Sequence, residues 1–343
     1  MNNIKKKIIM CGINFGKFYL DGIERAKEDF ELVGILSRGS NKSVKIASNL
    51  NVPLYKDIKE IDLKNVDFAC VVVPSTVVGG SGTEIANRFL EKGISVIQEH
   101  PVHYKDYLES LKIAKSNNCY YYMNCFYSYV PSIIEFIKQA NLLKKHSKFI
   151  QIEASCSVQV LYPIIEILGK ILDGFRPWSL KKIHINEEGY LFKEIVGKIR
   201  NIPLSLKVQN QIDPKDPDNF MHLMHRITLI TDKGSLSLTD TNGEVVWMPK
   251  MYIPRNDNGE FSLDNTDKLL HTSLSTVYYS TKNETYKNLY ESIWPKATKD
   301  ALLSFKNKID SNDYDLRENQ YQLTASRVWK DIGEVLGPAE IIS

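Results

Sequence analysis

Residues 7–16, Lys7-Ile8-Ile9-Met10-Cys11-Gly12-Ile13-Asn14-Phe15-Gly16, run an apolar strand candidate straight into a glycine-bearing turn. A helical pattern, KFYLDGIERAKE, follows from residue 17. Strand, turn and helix in that order are the setting of a dinucleotide-binding fingerprint. Glycine lets the backbone approach a pyrophosphate, and the free N–H groups of the helix start bind it. The match to GxGxxG is imperfect: with Gly16 as the last glycine, Cys11 and Ile13 stand at the first two glycine positions. Gly12, Asn14, Phe15 and Gly16 are the candidate pyrophosphate residues, against an ordinary tight turn as the competing reading.

Working outward, the next apolar run, 31–36, ends at Ser37-Arg38-Gly39-Ser40-Asn41-Lys42-Ser43. An NAD enzyme places an acidic residue here for the ribose 2′-hydroxyl. This loop has no acid but two cations and three serines. Arg38 and Lys42 for charge, with Ser37, Ser40 and Ser43 for hydrogen bonds, suit the 2′-phosphate of NADP(H); the competing reading is a plain polar loop. Residues 67–73 (DFACVVV) form a third strand ending at Pro74-Ser75-Thr76. A glycine-rich turn containing Gly80 and a helix then lead to ISVIQEHP. That fourth run stops at Gln98-Glu99-His100-Pro101, and ligands collect at the carboxyl ends of strands in open α/β sheets. Near-continuous apolar strands separated by helices predict a parallel, doubly wound sheet.

The length, 343 residues, fits about two domains. A composition of 43% hydrophobic and 25% charged residues is that of a soluble globular protein. A net charge of +3 with scattered Lys and Arg gives no case for nucleic acid. The apolar part of MNNIKKKIIMCG is too short for a signal peptide or a membrane span, and a cytoplasmic location is expected. The five cysteines lack metal-type spacing, and Cys11 and Cys70 sit in apolar runs as core thiols.

The predicted fold is α/β: an N-terminal Rossmann domain over 1–125, then an α/β domain with a large open antiparallel sheet over 126–343. The second part opens with helices near 133–145 and 161–174 around a strand at 149–158. Strand-like runs KKIHINE, PLSLKVQNQ, HRITLITDK, GSLSLTD and GEVVWMP follow. A C-terminal amphipathic helix, about 318–336, offers Leu323, Val328, Ile332 and Val335 to a core and is a candidate to pack back on the first domain. His222 and His225 do not share a strand face and lack a third ligand, so no metal is expected. His225 and Arg226 are candidates to line a substrate or dimer surface.

With these motifs in place, the chain resembles the glucose–fructose oxidoreductase / inositol dehydrogenase (Gfo/Idh/MocA) superfamily. Its signature is Glu-Lys-Pro at the fifth strand end; here His100 stands in the lysine's place. Within it the chain is similar to the thiazolinyl imine reductases of siderophore assembly, of the yersiniabactin and pyochelin type. The shared stretches include Gly12-x-x-Phe15-Gly16-x-x-Tyr19-Leu20, Ser75-Thr76-Val77-x-Gly79-Gly80, Val96-Ile97-Gln98-Glu99-His100-Pro101, Asn124-x-Phe126-Tyr127 and Met224-His225-Arg226, covering about 1–335. The resemblance implies NADPH-dependent reduction of a thiazoline C=N carried as a thioester on a nonribosomal peptide synthetase carrier domain, by a homodimer. The sugar and inositol dehydrogenases carry an Asp…His pair on the first helix of the second domain. The segment SVQVLYPIIEILGKILDG has Glu166 and Asp173 but no His.

Imine reduction needs a hydride on carbon and a proton on nitrogen. Histidine, with a reference pKa of about 6.5, suits the proton. His100 is the first candidate donor, with a structural hydrogen bond as its competing role. Tyr127, at the next strand end, is the second, with an aromatic pocket wall as its competing role; the resemblance implies the same two. Glu99 is assigned to the ribose or nicotinamide side of the cofactor. The alternatives are a sugar- or inositol-type NAD(P) dehydrogenase, or a non-catalytic NADP-binding regulatory protein.

Overall fold

The computed structural model describes residues 5–75, 80–183, 189–263, 266–311 and 315–342. The chain divides into two compact units, each built from two segments: Met1–Val130 with Glu284–Lys330, and Pro131–Asn283 with Asp331–Ser343. A single cut at residue 125 does not reproduce this division, because 284–330 returns to the first unit.

The first unit is built on six parallel strands: β1 (Lys6–Cys11), β2 (Phe30–Leu36), β3 (Leu54–Tyr55), β4 (Phe68–Val71), β5 (Ser95–Glu99) and β6 (Tyr121–Asn124). Their order is β3-β2-β1-β4-β5-β6. Ile8, Ile9, Met10 and Cys11 are all buried, as are Phe68, Ala69, Cys70 and Val71, because helices cover both faces of a parallel sheet. The order reverses between β1 and β4, and at such a switch point the carboxyl ends of the strands leave a crevice for a ligand. The helices are α1 (Gly16–Glu24), α2 (Asn41–Asn49), α3 (Gly82–Leu90) and α4 (Tyr104–Ser116).

In the second unit, α5 (Pro131–Leu143) and α6 (Leu161–Leu172) accompany an eight-stranded sheet of order β15-β14-β13-β12-β7-β10-β9-β8. Its strands are β7 (Phe149–Ser157), β8 (Trp178–Ile183), β9 (Lys193–Ile199), β10 (Ile202–Gln209), β12 (His225–Thr231), β13 (Gly234–Leu238), β14 (Val245–Pro249) and β15 (Thr276–Tyr279). A further small sheet pairs β11 (Gln211–Ile212) with β16 (Glu340–Ile341). The large sheet is antiparallel as expected, except that β7 and β10 run parallel. Alternate residues of β10, Leu204, Leu206 and Val208, are buried, the two-residue period of a one-sided sheet. Of the expected strand run KKIHINE, residues 184–187 lie outside the described set.

The returning segment is helical. A short α7 (Tyr286–Asn288) passes through a π turn at Leu289–Ile293 into α8 (Trp294–Ser311), and α9 (Leu316–Leu336) follows. Thr298 Oγ1 donates to the Phe18 carbonyl at 2.7 Å, tying α8 to α1. On α9 the buried apolar residues are Ala325, Val328, Ile332 and Leu336, whereas Leu323 and Val335 are half-buried. Gln322 is buried and accepts from Tyr107 Oη at 2.7 Å. Among the described residues no helix is long and apolar enough to cross a membrane.

Candidate active site

The turn after β1 is fixed by close packing. Gly12 has φ +85°, and a Cβ there would lie 2.4 Å from the Val72 carbonyl oxygen. Only glycine meets both demands. Phe15 forms the N-terminal boundary of α1 with no side-chain cap, and the Lys17 and Phe18 N–H groups donate to the Asn14 and Phe15 carbonyls at 3.4 and 3.1 Å. The Phe15 ring itself packs against Phe18, Tyr19, Phe126 and Trp294. Its contribution to a cofactor is therefore its backbone and a wall. Asn14 is exposed, and its Oδ1 accepts from Lys42 Nζ at 3.3 Å, which brings the loop after β2 over the turn after β1.

That loop sorts its polar groups by local structure. Ser40 caps α2, accepting from the Ser43 N–H at 3.2 Å. The Ser43 hydroxyl donates to the Ser40 carbonyl at 2.8 Å and Ser43 is wholly buried, so its side chain cannot meet a ligand, contrary to expectation. Ser37 Oγ accepts from the Gly39 N–H at 3.3 Å. Arg38, Ser40 and Lys42 are exposed. After β4, Pro74 is exposed and Ser75 buried, its hydroxyl donating to the Pro101 carbonyl at 2.8 Å. Gly80 comes so close that a Cβ would sit 2.2 Å from the Pro74 oxygen. Thr76 lies outside the described residues.

At the end of β5, Glu99 and His100 form a pair. His100 Nδ1 lies 2.7 Å from Glu99 Oε1 and 3.2 Å from the Asn124 carbonyl oxygen, with the side chains 7% and 11% exposed. The backbone carbonyl can only accept and the carboxylate accepts as well, so the hydrogen of the ring sits on Nδ1. Glu99 Oε2 accepts from the Tyr19 hydroxyl. Both carboxylate oxygens are thus engaged by side chains. Glu99 turns one oxygen to His100 and the other to Tyr19, at the strand end where a ribose or nicotinamide role is expected for it. Burial, and then the neighbouring Glu99 charge, hold the Tyr19 hydroxyl well above its ordinary pKa, so it stays a neutral donor.

Tyr127 follows β6 in a 3-10 turn, Phe126–Tyr129. Its ring centroid is 5.7 Å from that of His100. It packs against Phe126 at 4.2 Å and Trp294 at 6.4 Å, so the donor candidate is also part of an aromatic wall. His100 and Tyr127 are brought together; Tyr19, Asn124 and Trp294 join them unassigned by sequence reasoning. Trp294 had a usable signal, since Ala297, Ala301, Leu302 and Phe305 behind it repeat at helical spacing.

In the second unit His225 is wholly buried, with Nδ1 2.7 Å from Thr241 Oγ1 and Nε2 2.8 Å from the Val160 carbonyl oxygen. It holds β12 in place and lines no surface, a correction to its expected role. Arg226 is exposed, with Nε donating to the Thr239 carbonyl at 3.1 Å. On α6 the buried Glu166 pairs with Lys170 at 2.8 Å, and Asp173 at its end pairs with Lys144 at 2.6 Å. Among the described residues no group of three His, Cys, Asp or Glu is arranged to hold a metal.

Residues 6–125 match the model of the Gfo/Idh/MocA oxidoreductase family, NAD-binding Rossmann fold, and residues 145–248 match the C-terminal model of Irp3-like thiazolinyl imine reductases. The first segment is thus similar to the Gfo/Idh/MocA oxidoreductases and the second to the Irp3-like C-terminal domain. No curated protein sequence matches it. Solved structures share the fold along nearly the whole chain. A dehydrogenase (MviM) from Clostridium difficile is 14% identical, covering 96% of this chain and 99% of its own, with a TM-score of 0.67. An Agrobacterium radiobacter oxidoreductase, solved with NAD+, L-tartaric acid and magnesium, is 10% identical over 97% and 96%, TM-score 0.67. UDP-N-acetylglucosamine 3-dehydrogenase from Acidithiobacillus ferrooxidans is 10% identical over 97% and 98%, TM-score 0.67. The Gly12 turn and the start of α1, which carries no side-chain cap, lie within the residues that match the NAD-binding Rossmann model.

Proposed function

We propose that this protein uses NADPH to reduce a thiazoline C=N to a thiazolidine on a carrier-tethered nonribosomal peptide siderophore intermediate. The observation that carries the reading is the Nδ1–H of His100 held against Glu99, in a chain whose C-terminal domain is Irp3-like. NADPH, when bound, supplies the hydride for the imine carbon. His100 Nε2 delivers a proton to the imine nitrogen, directly or with Tyr127, while Glu99 stabilises the imidazolium that holds it. The aromatic wall of Phe15, Phe126, Tyr127 and Trp294 excludes water from that exchange. Arg38 and Lys42 select the 2′-phosphate. The reading extends to a carrier domain of a peptide synthetase as partner, to a homodimer and to a cytoplasmic location. Alcohol oxidation of the sugar-dehydrogenase kind is less well supported: Glu166 and Asp173 on α6 are each paired with a lysine, and the segment has no histidine.

The test is NADPH consumption with an aryl-thiazolinyl N-acetylcysteamine thioester. His100→Asn and Tyr127→Phe are each expected to lower kcat roughly a hundredfold or more while leaving NADPH affinity nearly unchanged. Wild-type kcat in both variants would sink the proton-donor assignment. Tight NADPH binding with no turnover of any probe would favour a regulatory protein instead.

A further inference from the structure

Tyr19 belongs to the helix that opens the nucleotide turn, yet its hydroxyl takes part in a different structure. The ring is wholly buried; the hydroxyl donates to Glu99 Oε2 and accepts from Asn124 Nδ2. Glu99 Oε1 in turn faces His100 Nδ1 at 2.7 Å. The Asn124 carbonyl accepts from the His100 backbone N–H at 3.0 Å and lies 3.2 Å from Nδ1. Tyr19, Glu99, His100 and Asn124 therefore close a ring of hydrogen bonds around one imidazole. Tyr127, 5.7 Å away between centroids, faces the same imidazole from the turn after β6.

A ring of this kind has one vulnerable member. Glu99 is an acceptor only while it is a carboxylate; protonated, it becomes a donor and would drive the hydrogen from Nδ1 to Nε2. The Tyr19 hydroxyl donates to Oε2 and so engages Glu99 as an acceptor, without bringing a charge into the cluster. We infer that Tyr19 is a positioning residue for the proposed reduction: through Glu99 it holds His100 as the Nδ1–H tautomer and so keeps the ring hydrogen off Nε2. This rests on the proposed function for its kinetic consequence but not for the tautomer itself. Tyr19→Phe keeps the ring that packs beside Phe15 and removes only the hydroxyl.

The experiment uses the full-length protein without cofactor, labelled with nitrogen-15 in its seven histidines. Long-range proton–nitrogen spectra are recorded at mildly alkaline pH, with the His100 signals assigned by their loss in His100→Asn. The wild type should show His100 in the Nδ1–H form alone. Tyr19→Phe should raise the Nε2–H form to a comparable share, Glu99→Gln should also disturb the His100 pattern, and His225 should not change. A His100 that keeps the Nδ1–H form alone in Tyr19→Phe overturns the inference. With the thiazolinyl thioester, Tyr19→Phe should lower kcat about tenfold in the wild-type background and not at all in the His100→Asn background, with KM for NADPH steady. An equal loss in both backgrounds would mean that Tyr19 acts independently of His100, and also overturns it. If the wild type does not turn over the thioester, the functional reading fails while the tautomer spectra still decide the role of Tyr19.

Discussion

A carboxylate that can only accept decides which nitrogen of His100 carries hydrogen, and that makes histidine at position 100 chemically distinct from the lysine of related signatures. Lysine has three donors and no tautomer to set. His100 and Tyr127 were legible in the sequence because polar groups at consecutive strand ends face one crevice. The partner of Glu99 was not legible: Tyr19 is 80 residues away, and only the fold brings them together. The loop after β2 was half legible. Its lack of an acid was visible, whereas the burial of Ser43 depends on α2 starting at that serine pair. Under the proposed 2′-phosphate role, Arg38→Ala should weaken NADPH binding roughly tenfold or more and change NADH binding by no more than about twofold. Titration calorimetry with both cofactors measures this; equal weakening of both would remove Arg38 from the phosphate site.

At the level of elements, the strand–turn–helix at β1 and α1 behaves as its sequence predicts, and Gly12 is why. Gly12→Ala should cost about 1–2 kcal/mol for the left-handed backbone alone. The carbonyl of Val72, a backbone atom 2.4 Å from the new Cβ, cannot move aside cheaply, so the total loss should exceed that figure. Thermal melting without cofactor measures it, and an unchanged midpoint would contradict the packing argument. No element was assigned to 294–311 from sequence, although proline, as at Pro295, is permitted in the first turn of a helix, where its missing N–H is not needed. The parallel β7–β10 pairing was illegible for another reason: strand periodicity reports which face is buried, not which neighbour a strand takes.

Across the molecule, all five cysteines are buried and none is in a disulfide. Burial pushes the thiols of Cys11, Cys70 and Cys156 far up, and that of Cys119 up to about 11 from an ordinary 9.0. The native state holds these protons while the unfolded chain releases them above pH 9, so their contribution to stability is full below that pH. It is lost as pH rises from 9 toward 11 and beyond. Urea midpoints should fall over that range, and a flat profile would contradict the burial of these thiols. A thiol reagent at neutral pH should label no cysteine in the native protein and all five after denaturation. These tests probe the scaffold; the chemistry is tested by following the transferred hydrogen. NADPH carrying deuterium at its transferable position is incubated with the protein and the aryl-thiazolinyl thioester, and the product is read by mass spectrometry and NMR. The account predicts a thiazolidine with one deuterium on the former imine carbon and a solvent-derived proton on nitrogen, abolished by His100→Asn. An unreduced thiazoline, beside NADP+-dependent oxidation of a sugar or inositol by the same preparation, would contradict it.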